Sequence, residues 1–132
     1  MAKKLYHLPL QRIKTFLAHH KSTLRSNIKN SKKLEYAKRF GKASYLLEVE
    51  RFICFLKIEK NLDHALKLIN YFESETFIKE LSTLMGIESF CEGRREHLYL
   101  VLHHLKEHES ELFSGFLQQC FMHFYTSQTS SL

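Results

Sequence analysis

The chain has 132 residues, of which 44% are apolar, and its formal net charge is +6. This length suits one domain, and eleven Phe and six Tyr supply enough apolar surface for a packed core, which excludes an intrinsically disordered segment. No apolar run approaches the roughly 18 residues that a membrane-spanning helix needs, so integral membrane association is not expected.

The composition favours helices, because four Gly and one Pro leave few residues for the turns of a β-rich fold. Apolar residues at steps of three and four predict a first helix over about 9–28 and a second over about 32–59. Gly41, inside the second segment, marks either a close helix contact or a break between two shorter helices.

The third and fourth predicted helices are short. The third is expected to turn Leu62 and Leu66 toward the core, and the fourth ends before Gly86, which suits the left-handed position just past a helix. The side chains that can cap the second, third and fourth helices are Asn30 or Ser31, Asn61 or Asp63, and Ser74 or Thr76.

The C-terminal part of the chain predicts two more helices, or one kinked helix. Ser89 and Glu92 stand at the spacing of a capping box and would start it, and the polar stretch 106–110 interrupts it. We therefore expect an all-α, single-domain antiparallel bundle of five or six helices over residues 1–125, followed by a frayed polar tail over 126–132.

Basic and acidic residues are unevenly distributed along the chain. Residues 1–42 contain twelve Lys and Arg and one acidic residue, Glu35, whereas residues 43–132 contain eight basic and thirteen acidic residues. An ordinary solvated surface mixes both signs. The basic third therefore predicts a negatively charged partner, or a contact with the acidic remainder of the same chain.

Eight of these cations align beside the apolar stripes of the first two predicted helices. We expect them to bind nucleic acid through its phosphates, with an acidic protein, an anionic membrane surface or the chain's own acidic part as alternatives. Helical periodicity places most of Phe16, Tyr36 and Phe40 toward the core, so stacking on single strands is not predicted. The basic surface consists of Lys14, Lys21, Arg25, Lys29, Lys32, Lys38, Arg39 and Lys42.

Four of the nine histidines fall between residues 97 and 108. His104 and His108 share one helix face with His97 two turns earlier, a projection that metal-binding helices use. A chain so rich in histidine produces such pairs by chance, so we expect solvated or interface histidines, no cofactor and no stoichiometric metal ion. These three histidines are the candidates for a metal site.

No catalytic arrangement rises above chance. Arg12 and His19 are spaced like a catalytic pair of one class of compact helical ribonucleases, but Ile13 stands where that class prefers a polar residue. The segment around Gly86 resembles the turn of a helix-turn-helix, yet Glu92 occupies a position that should be apolar. We therefore expect a protein that is not an enzyme.

The three cysteines are widely spaced and include no CxxC pair, which fits neither a disulfide framework nor a zinc ribbon. Cys54 and Cys120 lie on apolar helical stretches and are expected to be buried thiols in a cytoplasmic protein. The sequence thus predicts a small helical nucleic-acid-binding protein or regulator. The alternative is a protein-interaction adaptor that docks or forms homo-oligomers through exposed Phe and Tyr on its C-terminal helices.

Overall fold

The computed structural model describes residues 7–58, 61–89, 91–92 and 94–130. The first six residues of the predicted domain and residues 131–132 of the predicted tail lie outside this part of the chain. Six α-helices and one 3-10 turn, Ile87–Ser89, form an all-α bundle, as the sequence predicts, and the described residues contain no strand. The helices are α1 His7–Lys29, α2 Ser31–Leu56, α3 Leu62–Phe72, α4 Glu75–Met85, α5 Arg95–His108 and α6 Ser110–Ser130.

Side-chain caps fix the starts of three helices. Asn30, Asn61 and Ser74 each accept a hydrogen bond from the backbone N–H three residues further along the chain, which satisfies one of the free donors of the first turn. Gly86 ends α4 with φ 75°, a left-handed conformation that glycine adopts without steric cost. These boundaries are as the sequence predicts.

The start of α5 differs from the prediction. Ser89 does not cap it: this residue belongs to the 3-10 turn, and its hydroxyl donates to the carbonyl of Gly86 at 2.9 Å. Glu92 pairs instead with Arg94 at 2.7 Å, and α5 begins only at Arg95. Because α5 begins only at Arg95, its N-cap position is occupied by Arg94 and not by Ser89.

The interruption predicted within 106–110 falls at Glu109, between α5 and α6. Its backbone leaves the helical region, with φ −143°, so the C-terminal part forms two helices. Thr126 donates to the carbonyls of Met122 and His123 in the last turns of α6. The helix continues to Ser130, into the segment that the sequence predicts as a tail.

The centre of the bundle is the contact between α2 and α5. Gly41 is buried against the backbone of Tyr99, so α2 continues through this glycine without a break and uses it for a close approach. The contacts between these helices join residue 38 to 96, residue 41 to 99 and residue 44 to 106, so they follow the same order along α2 and α5. The two helices therefore run in the same direction, while α1 runs antiparallel to α5.

Two buried polar contacts connect α2 to the rest of the bundle. The Tyr45 hydroxyl donates to the carbonyl of Phe72 at the end of α3, at 2.6 Å. The Glu48 carboxylate accepts from the Ser114 hydroxyl at 2.8 Å and from the Gln118 amide at 2.9 Å, both on α6. These bonds satisfy polar groups that burial would otherwise leave without partners.

Three apolar or thiol side chains are not buried as predicted. Leu62 and Leu66 are 67% and 56% exposed, because α3 turns the face carrying Ala65 and Leu68 toward the core instead. Cys54 is also exposed, since it follows the buried Ile53 and lies a third of a turn away from the core face. None of the described helices is both long and apolar enough to cross a membrane.

Candidate nucleic-acid interface and histidine cluster

The α1 part of the basic surface has two of its four cations, Lys14 and Lys21, beside the end of α4. Lys14, Arg25 and Lys29 are exposed, and Lys21 is partly exposed. Lys14 and Lys21 border a shallow groove whose opposite wall includes Gly86. The predicted alignment of these four cations beside the buried stripe of α1 is therefore present.

The α2 part of the basic surface includes two ion-paired residues. Lys38 Nζ lies 3.0 Å from Glu35 and 3.9 Å from Glu96, and Arg39 Nε lies 2.9 Å from Glu35. Hydrogen bonds from Lys38 and Arg39 lower the pKa of the Glu35 carboxyl. The only acidic residue in the basic third is thus held between two of its cations.

The remaining six cations of the basic surface form no ion pair with any carboxylate in the described part of the chain. Across that part, only the pairs Lys38–Glu96 and Arg12–Glu109 join the basic third to the acidic remainder. The acidic half therefore leaves most of the basic surface without a counter-charge. The six are Lys14, Lys21, Arg25, Lys29, Lys32 and Lys42.

A groove of about 500 Å³ extends the basic surface from α2 to the start of α5. Two arginines, Arg94 and Arg95, lie across this groove from three cations of α2. The side chain of Arg94, the N-cap residue of α5, makes no capping hydrogen bond, and the first N–H groups of this helix carry the positive end of its dipole. The groove is lined by Lys38, Arg39, Lys42, Arg94, Arg95, Glu96 and Tyr99.

An aromatic pair stands exposed on α2, contrary to the prediction that helical periodicity turns it inward. Tyr36 is 60% exposed and Phe40 is 51% exposed, and their ring centroids lie 4.7 Å apart. The exposed cations Lys32, Lys33 and Arg39 lie within about one helical turn of Tyr36. Two aromatic faces are therefore available to a partner beside positive charge.

The structure brings together three histidines from two helices. His104 Nε2 lies 2.8 Å from His20 Nδ1, which joins α5 to α1. His108 Nδ1 lies 2.9 Å from the carbonyl oxygen of His104. One nitrogen from each ring lies within 4.8 Å of the other two, and the Phe16 ring stacks on His20 at 4.1 Å. We call His20, His104 and His108 the histidine cluster.

Burial and repulsion between the imidazoles favour the neutral forms of His20 and His104. Burial, followed by the neighbouring His108 and His20, lowers the pKa of His104 to about 4. The pKa of His20 is lowered by burial and then by the charge of His108. Neutral imidazoles carry the lone pairs that a metal ion requires.

The histidine cluster differs from the predicted set of metal candidates by one residue. His97 lies apart from it, buried on α5, and His20 takes its place. Nothing in the spacing of His20 relative to α5 could have indicated this contact, because the two positions meet only after α1 packs on the bundle.

The two residues of the catalytic alternative lie near the same place. Arg12 and His19 line an open cleft of about 740 Å³ that also reaches His20. Arg12 pairs there with Glu109 at 3.5 Å. The spacing that suggested a catalytic pair thus places both residues on one side of α1.

Comparison of the chain with known proteins returned no match to a family model, to a curated protein or to a solved structure.

Proposed function

We propose that this protein binds nucleic acid through the basic surface of α1 and α2 and the adjoining groove at the start of α5, without catalysing a reaction. The observation that carries the proposal is that six of its eight cations have no described carboxylate partner. Such an array repels itself unless an anion neutralises it. A phosphate backbone supplies charges of one sign along a line, which suits cations arranged along two helices.

The groove adds cations that are remote in sequence. Arg94, which also pairs with Glu92 and Glu96, and Arg95 line it together with Lys42, so a phosphate chain lying in the groove would meet cations from α2 and from the start of α5. Guanidinium groups also form paired hydrogen bonds with phosphate oxygens. This arrangement supports contacts between these side chains and the phosphate backbone of the nucleic acid, which do not depend on base sequence.

The exposed aromatic pair favours a single-stranded ligand. Bases of a single strand stack on aromatic side chains, whereas the bases of a duplex are already stacked within it. Tyr36 and Phe40 offer such faces beside Lys32 and Arg39. We therefore propose that single-stranded segments bind more tightly than a duplex of the same length.

The proposal is tested with two triple variants that remove the same charge. In the first, Arg25, Lys29 and Lys42, which have no described carboxylate partner, are replaced by Gln. In the matched control, the exposed lysines of the acidic part, Lys57, Lys67 and Lys79, are replaced by Gln.

Binding of a fluorescent oligonucleotide is followed by anisotropy at low salt. We expect the first variant to bind at least tenfold more weakly than wild type and the control to stay within about twofold, because only the first loses phosphate contacts. The helical circular dichroism of all three proteins should agree, since exposed charges contribute little to stability. Equal weakening in both variants would show that binding depends only on the net charge of the protein, which would contradict the proposed surface.

A protein-interaction adaptor is the competing proposal, and the exposed apolar residues bear on it. The sequence places its docking residues on the C-terminal helices, whereas the exposed large apolar side chains of the described chain lie on α2 and α3, including Phe55, Leu62 and Leu66. Failure of wild type to bind either DNA or RNA at low salt, together with a concentration-dependent size, would favour the adaptor. The described cysteines form no disulfide, which supports a reducing compartment such as the cytoplasm.

A further inference from the structure

The geometry points to a metal site that is independent of the basic surface: we propose that the histidine cluster binds one Zn²⁺ ion and thereby joins α1 to α5. The three imidazoles come from His20 on α1 and from His104 and His108 on α5. Imidazole is a preferred ligand of this borderline cation. The sequence predicts no stoichiometric metal ion, and it places only two of these three residues, His104 and His108, on one helix face. The proposal reverses that prediction.

The nitrogen positions are close to those that a tetrahedral ion requires. With Zn–N bonds of about 2.0–2.1 Å, two ligand nitrogens in a tetrahedral site lie roughly 3.3 Å apart. The candidate nitrogens all lie within 4.8 Å of one another, and His20 and His104 are at 2.8 Å. Side-chain displacements of roughly 1 to 2 Å separate this arrangement from a three-nitrogen site.

A hydrogen bond within the cluster already selects a suitable tautomer of His108. His108 Nδ1 donates to the carbonyl of His104, which leaves Nε2 as the nitrogen with the lone pair. Metal-binding histidines are commonly oriented by such a bond from their other ring nitrogen. Between His20 and His104 one N–H joins the two rings; on metal binding that proton moves to the other nitrogen of its own ring, which frees a lone pair on both facing nitrogens, and the two rings turn so that these lone pairs converge on the ion.

The fourth coordination position opens toward water. His20 and Phe16 form part of the wall of the cleft beside α1, which also includes His19 and Glu109. Phe16 covers one side of the His20 ring and limits its rotation. Three protein ligands with one open position is the arrangement of zinc sites that retain a water molecule.

The test uses the full chain without a polyhistidine tag, freed of metal by a chelator and then titrated with Zn²⁺ in calorimetry. We expect one ion per chain and a rise in the unfolding temperature at saturating Zn²⁺, because the ion binds the folded form. His20→Ala, His104→Ala and His108→Ala should each weaken binding at least tenfold. His19→Ala and His103→Ala, which remove neighbouring histidines on the same two helices, should retain the wild-type affinity.

Two results would overturn the site. One is the absence of a one-to-one binding event in wild type. The other is binding that the His104→Ala/His108→Ala double variant retains, which would assign the ion to scattered surface histidines. Should His104→Ala lose its helical signal, His108→Ala carries the test, because its side chain is exposed and its removal leaves the core intact.

Discussion

Gly41 of α2 lies directly against the backbone carbonyl of Tyr99 on α5, so that a Cβ atom at this position would overlap the carbonyl oxygen. We expect Gly41→Ala to destabilise the fold by about 1 to 3 kcal/mol, because α2 and α5 must separate. Alanine normally stabilises a helix relative to glycine by about 1 kcal/mol, so the sign of the effect is diagnostic.

Gly115 provides the control for this substitution. It lies within α6, and a Cβ atom there would meet nothing within 4 Å. Gly115→Ala should therefore leave stability unchanged or raise it by up to about 1 kcal/mol. Urea unfolding of both variants measures the difference, and equal effects would show that α2 and α5 are not in close contact.

The thiols of Cys54 and Cys120 should differ in reactivity. Cys54 is exposed, whereas Cys120 is fully buried and burial raises the pKa of its thiol. The thiolate is the reactive form, so Cys54 should be modified rapidly and Cys120 only on unfolding. Mass spectrometry of the native protein after thiol alkylation tests this, and the fast phase should disappear in Cys54→Ser. Rapid modification of Cys120 would contradict the assigned core of α6.

Stability should fall as the pH drops below the ordinary pKa of histidine, and His97 should contribute to the fall. Burial lowers the pKa of His97, with opposing contributions from Glu96 and Glu92 and a further lowering by Arg94. A lowered folded-state pKa means that the stabilising contribution is fully present above about pH 6.5 and is lost as the pH decreases, because the unfolded chain takes up the proton first.

His97→Gln should consequently lose less stability than wild type between about pH 7.5 and pH 5. Ser22→Ala, at an exposed position of α1 that carries no titratable group, serves as the control and should follow wild type. The free energy of unfolding from urea titrations at each pH gives the comparison. An identical fall in wild type and His97→Gln would show that this imidazole is solvated.

The aromatic pair should distinguish single strands from duplexes. Replacing Tyr36 and Phe40 by Ala is expected to weaken single-strand binding at least tenfold, since each base stacked on an aromatic ring contributes about 1 to 3 kcal/mol. Duplex binding should change by less than about twofold, because it depends on phosphate contacts. Leu47→Ala, at another exposed apolar position of α2, is the control. Equal losses for both ligands would contradict stacking.

Local signals predicted the helix boundaries well. Asn30, Asn61 and Ser74 cap their helices through bonds to residues three positions away, and Gly86 adopts its conformation within a single turn. Each of these features forms between residues that are close in sequence, so both partners of each interaction can be identified from the sequence alone. The predicted capping role of Ser89 was wrong because this residue ends a 3-10 turn and α5 begins only at Arg95.

Side-chain exposure and the histidine cluster could not be predicted in the same way. The face of α2 that is buried is set by Gly41, which permits the closest approach to α5 and thereby turns Tyr36 and Phe40 outward. His20 meets His104 only when α1 packs antiparallel to α5. Both outcomes depend on helix packing, which the spacing of residues within one helix does not determine.

The salt dependence of nucleic-acid affinity tests the central claim most directly. If half of the eight cations of the basic surface contact phosphates, the logarithm of the affinity should fall with the logarithm of salt concentration with a slope of about −3 to −4 on duplex. The slope on single strands should be about −3, with a higher affinity at each salt concentration because stacking adds to the phosphate contacts. Binding that is weak at low salt for DNA and RNA alike, or that shows no salt dependence, would contradict a phosphate-binding role for this surface.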